Sequence, residues 1–145
     1  MLIISFLATK IAKIIDTMHI IRKYFSIFAQ KIDMDILNYN QKIAVMRVLL
    51  DIIHADGRID IRENVLFNQL LDELALPYDT KDEISRKSSL IALLDIKNFT
   101  DEQKEYFAAL MDKMIKVDED INVNEVAIYD VVIDYCQIPI PFAAN

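Results

Sequence analysis

The sequence predicts an all-α fold, and three observations carry that prediction. Apolar residues return every three or four positions through most of the chain, the spacing that lines one face of a helix. Several segments open on a capping-box pattern, as in Thr100-Asp101-Glu102-Gln103. Glycine occurs once in 145 residues, at Gly57, and no segment alternates apolar and polar residues between turn glycines as a strand would. The expected architecture is a bundle of about six to seven helices holding two similar helix–acidic turn–helix units.

At this length one domain is expected. It divides into an N-terminal amphipathic segment (1–38), a first unit (40–77), a connecting helix (78–100), a second unit (101–139) and a tail (140–145). Ile3, Leu7, Ile11, Ile14, Met18, Ile21, Phe25, Phe28 and Ile32 place one long helix, or two nearly continuous ones, at the start. Phe6, Ile20 and Ile27 are apolar but lie off that stripe. The polar stretch 33–40 breaks the pattern. A helix then spans about 41–55, with Gly57 expected just past its end as the left-handed residue that closes it. The next runs from about 61 to 76 and stops at Pro77.

Thr80-Lys81-Asp82-Glu83 has capping-box form and opens one helix carrying Ile84, Ile91, Leu93 and Leu94. The box at Thr100 opens another through Phe107, Leu110, Met111, Met114 and Ile115. The last helix spans about 123–137. Ile138-Pro139-Ile140-Pro141-Phe142 then reads as an extended strap.

Charge narrows the function. The net charge is −7, but residues 1–50 carry seven Lys/Arg against three Asp/Glu, and residues 51–145 carry nine against twenty. The acidic remainder excludes a nucleic-acid grip, which needs clustered cations, and favours divalent metals or cationic partners. One cysteine, Cys136, rules out an internal disulfide framework and a Cys-rich zinc site, and it fits a cytoplasmic setting. The apolar start, nine residues before Lys10, is too short to span a bilayer and lacks a preceding basic stretch. A single glycine rules out a Gly-rich phosphate loop, and no nucleophile–histidine pair can be assembled, so no enzyme is expected.

A shift of 62 residues aligns His54-Ala55-Asp56-Gly57-Arg58-Ile59-Asp60-Ile61-Arg62-Glu63 with Lys116-Val117-Asp118-Glu119-Asp120-Ile121-Asn122-Val123-Asn124-Glu125. Pro77 then aligns with Pro139, and Cys136 with Leu74, which makes it a buried small hydrophobe. The acidic turns are not EF-hand loops, because Ile52 and His54, or Met114 and Lys116, occupy positions that need oxygen ligands. Two readings of the acids remain. Asp60 with Glu63, and Asn122 with Glu125, have the form of capping boxes. Alternatively Asp56, Asp60, Glu63, Asp118, Asp120 and Glu125 form a site for calcium, magnesium, manganese or zinc. His54 is read as a helix-end residue, favoured there as a cation.

The repeated turn, Asp56-Gly57 with Glu63 and Asp118-Glu119 with Glu125 between apolar helices, resembles the tellurite-resistance TerB family and its TerB-like relatives over roughly residues 40–139. The resemblance implies a helical bundle of two pseudo-symmetric halves and an acidic surface that binds metal or partners. It also implies a role in chemical stress or as an interaction module. Asp56, Gly57, Glu63, Asp118 and Glu125 match the family's positions, while Glu119 replaces a glycine. Because glutamate disfavours positive φ, the second turn is expected to differ in shape.

Residues 1–32 hold five Lys/Arg and one Asp, an amphipathic helix that would pack on the bundle, pair with another molecule, or lie on an anionic membrane. The expected partners are thus a protein or a second copy, with peripheral membrane contact through residues 1–32 as the alternative.

Overall fold

The computed structural model describes residues 2–144, with the side chains of residues 25–35, including Phe25, Ile27, Phe28 and Ile32 of the N-terminal pattern, outside the description. The described residues form seven helices and no strand. Contacts divide the chain into two units, Met1–Ile36 and Leu37–Asn145. The boundary falls in the polar break that the sequence marks.

The first unit is one continuous helix, α1 (Leu2–Asp35). Its described apolar side chains, Ile3, Leu7, Ile11, Ile14, Met18 and Ile21 among them, are exposed. No helix among the described residues is long and apolar enough to cross a membrane.

The second unit is built around α2 (Tyr39–Ile53), which touches each of α3 (Ile61–Glu73), α4 (Thr80–Arg86), α5 (Ser89–Lys97), α6 (Asp101–Lys116) and α7 (Val123–Tyr135). Its sequence explains that place. Ile43, Ala44, Val45, Met46, Val48, Leu49, Ile52 and Ile53 are all buried, so apolar residues cover most of its circumference. Asn38 starts it with a full capping box: its side chain accepts from the Gln41 N–H at 2.9 Å, and Gln41 Oε1 accepts from the Asn38 N–H.

The stretch 80–97, expected as one helix, is two. Thr80 is not a cap; it is the first helical residue, and its hydroxyl donates to the Pro77 carbonyl instead. Arg47 of α2 holds the break open. Its guanidinium donates to the Ser85 carbonyl at 2.9 Å, satisfying an acceptor at the end of α4, and to the Ser89 hydroxyl at 3.1 Å, tying the first residue of α5 to the same group. Lys87 bonds Asp95 across the corner at 2.9 Å. On α5 only Ala92 and Ile96 are buried, while Ile91 and Leu94 face outward.

The two helix pairs keep the 62-residue offset. Residues of α3, moved by 62, are those of α7, and α6 begins 62 residues after α2. Both α3 and α7 end the same way. Ala75 (φ 54°) and Gln137 (φ 57°) take the left-handed conformation, and the next N–H of each, from Leu76 or Ile138, returns to Leu71 or Ile133 at 2.8 Å. α3 is therefore closed at Glu73 by this motif, before Pro77 can act. Leu74 and Cys136 are the matching, fully buried cap residues. The tail folds back as an extended segment: the Tyr129 hydroxyl donates to the Ile140 carbonyl at 2.8 Å, and the Tyr129 ring meets Phe142 edge to face.

Candidate functional site

The site is built from the two turns that follow α2 and α6. In the first, α2 ends at Ile53 with His54 as its exposed cap. Gly57, expected to close α2 itself, sits three residues further on at φ 73°, donating its N–H to the His54 carbonyl at 3.1 Å. Asp56 accepts the Arg58 N–H at 2.8 Å, and Asp60 caps α3 by accepting from Arg62 at 2.7 Å.

The second turn repeats each step. Glu119 stands at φ 64° and donates its N–H to the Lys116 carbonyl at 3.2 Å. Asp118 accepts the Asp120 N–H at 3.0 Å, and Asn122 caps α7 by accepting from Asn124 at 2.8 Å. The expected difference in shape is absent. Left-handed geometry costs a side-chain-bearing residue about 1–2 kcal/mol, and the packing of α6 against α7 holds Glu119 there regardless.

The turns differ at the third residue of the following helix. Glu63 completes the capping box on Asp60, whose N–H donates to Glu63 Oε2 at 3.1 Å. Glu125 does not complete the expected box on Asn122. Its carboxyl lies beside that of Glu63 instead, and both side chains are buried, Glu63 at 2% exposure and Glu125 at 1%. No protein group bonds Glu125 Oε2.

Two carboxyls in contact cannot both ionise away from water. Burial, then the hydrogen bond to Glu63, then the charges of Glu63, Asp118 and Asp56 push Glu125 up to about 8. Burial also raises Glu63, but the Asp60 N–H and the bond from Glu125 work the other way. At neutral pH Glu125 therefore holds a proton beside Glu63.

The remaining candidates divide. Asp56 and Asp118, each half-buried, approach closely enough for their charges to act on both glutamates. Asp60 is turned toward α3, where the Arg62 backbone N–H and guanidinium hold its carboxyl below the usual range. Asp120 is exposed on the turn. Among the described residues no three His, Cys, Asp or Glu side chains are already placed to hold a metal ion. The structure thus brings Glu63, Glu125, Asp56 and Asp118 together and leaves Asp60 and Asp120 in the frame around them.

Two features escape a reading of motifs alone. Arg62, on α3, lies within electrostatic reach of Asp118 and Glu119 of the other turn. Gln41 and Gln103 join their side-chain amides reciprocally, the better bond being 3.2 Å. Gln41 and Gln103 are 62 residues apart, as are Glu63 and Glu125. The 62-residue alignment contains that signal for both.

No family model and no curated protein matches this chain. Its fold is similar to the crystal structure of PG1108, a protein of unknown function from Porphyromonas gingivalis W83. The two share 20% identity with a TM-score of 0.61, over 73% of this chain and 90% of that one.

Proposed function

We propose that this chain is a non-enzymatic, TerB-like interaction module for stress response that takes a divalent cation between its two acidic turns. The observation that carries the reading is the meeting of Glu63 and Glu125, one from each turn, with Glu125 Oε2 enclosed and without a partner in the protein. A buried acceptor with no donor costs about 1–3 kcal/mol, and a cation would remove that cost.

The donor set is all oxygen. Glu63 and Glu125 would bind directly, and Asp56 and Asp118, each spending one oxygen on its own turn, would complete the site by rotating the other inward. Such ligands suit calcium, manganese or magnesium better than zinc, which prefers nitrogen and sulfur. Binding would displace the proton on Glu125, so affinity rises with pH. Arg62 stands as the charge that the ion competes with.

Calcium, magnesium, manganese and zinc titrations followed by thermal melting test this. At a hundredfold excess over Kd an ion is expected to add about 2.7 kcal/mol to the wild type and nothing to Glu63→Gln. If no ion raises the wild-type melting temperature beyond that variant, the cation reading is abandoned.

A further inference from the structure

The N-terminal helix carries an apolar seam with a stricter period than an isolated helix needs. Ile4, Leu7, Ile11, Ile14, Met18 and Ile21 follow steps of three and four without exception, and all are more than half exposed. In the sequence the same steps continue at Phe25, Phe28 and Ile32, giving about four heptads. Ile4, Ile11 and Met18 take the a positions; Leu7, Ile14 and Ile21 take the d positions.

The period decides what covers the seam. On a straight helix a strict seven-residue repeat drifts by about 20° per heptad, or about 80° over four. A flat lipid surface would lose one end of that stripe, whereas a supercoiled partner follows it. We infer that α1 forms a parallel coiled coil with α1 of a second copy of this chain, which makes the protein a homo-oligomer.

The charges fit that pairing. Five of the six charged residues in 1–32 are basic, so contact between two such helices demands that cations avoid each other. In parallel register Lys10, at g, faces Ile15 of the other strand, and Thr17 faces Arg22; no two cations oppose one another at those flanks. Lys13, Asp16, His19 and Lys23 fall on the outer face. Isoleucine at both a and d, with Ala8 and Ile15 widening the seam, favours three or four strands over two. The unbroken length of 34 residues is also what a coiled coil requires and what a lone helix seldom sustains.

Sedimentation equilibrium of the full chain tests this together with cross-linking. The wild type is expected to sediment as a multiple of 16.8 kDa, and Ile14→Lys as the monomer. Met18→Cys on the seam is expected to form an interchain disulfide under mild oxidation, and Lys23→Cys on the outer face to form little. Cys136 is buried and adds no background. A monomer at every concentration, an oligomer that survives Ile14→Lys, or equal cross-linking at positions 18 and 23 would each overturn the inference. So would a monomer that transfers to phosphatidylserine vesicles and loses that binding with Ile14→Lys, since lipid would then be what covers the seam.

Discussion

Replacing Glu125 with glutamine should remove most of the pH dependence of stability between about pH 5 and pH 8. The amide is the size of a protonated carboxyl and can donate to Glu63 as that carboxyl can. In the wild type Glu125 holds its proton up to about 8 in the folded state, against an ordinary value of 4.5. Between those values the folded chain binds more protons than the unfolded chain, so stability falls as pH rises. The slope is at most about 1.4 kcal/mol per pH unit for one proton. From about pH 5 to pH 8 the wild type therefore loses at most about 4 kcal/mol through this group, and about half of that is a clear signal. Urea midpoints measured across the range for wild type, Glu125→Gln and Glu63→Gln are the assay. The Glu125→Gln curve should be nearly flat, matching wild type near pH 5 and exceeding it near pH 8. Parallel curves for wild type and Glu125→Gln would refute the proton on Glu125.

Three further predictions concern the backbone and the tail. A Cβ at Gly57 would meet nothing within 4 Å, so Gly57→Ala should cost only its left-handed strain, about 1 kcal/mol in urea melts. Glu119→Gly should relieve the same strain in the second turn and leave the fold at least as stable; a loss there would mean that the Glu119 side chain contributes contacts that outweigh it. Tyr129→Phe keeps the ring against Phe142 but removes the bond to the Ile140 carbonyl, and should cost about 0.5–1.5 kcal/mol while making the 139–144 segment easier to cleave in limited proteolysis.

What the sequence makes legible depends on how local the physics is. The cap at Asp60 with Glu63, the box at Thr100 with Gln103 and the extended tail follow from short-range rules, the burial of Cys136 from its alignment with Leu74, and all four stand in the structure. The break between α4 and α5 is not legible, because neither glycine nor proline marks it; the group that makes it, Arg47, lies about 40 residues earlier and acts through Ser85 and Ser89. Thr80 and Glu83 satisfy the box pattern, yet the Pro77 carbonyl takes the threonine hydroxyl first. Glu119 shows the reverse: local sterics argue against positive φ, and tertiary packing imposes it. The site lies between these cases. Its six acids can be listed from the turns, but only the tertiary fold, in which α2 packs on both α3 and α7, selects Glu63 and Glu125 as the pair that meets.

The separate placement of Glu63 and Glu125 on α3 and α7 has a consequence for how such a pair can specialise. Two identical chains meeting across a true axis are bound to place the same side chain on both sides. Here both partners are encoded separately within one chain. Glu63 is held by the Asp60 N–H, while Glu125 makes no such bond to its own cap and keeps a proton up to about 8. The two positions are thus free to differ in how they are capped and held. Either can change by a single substitution while the other stays as it is.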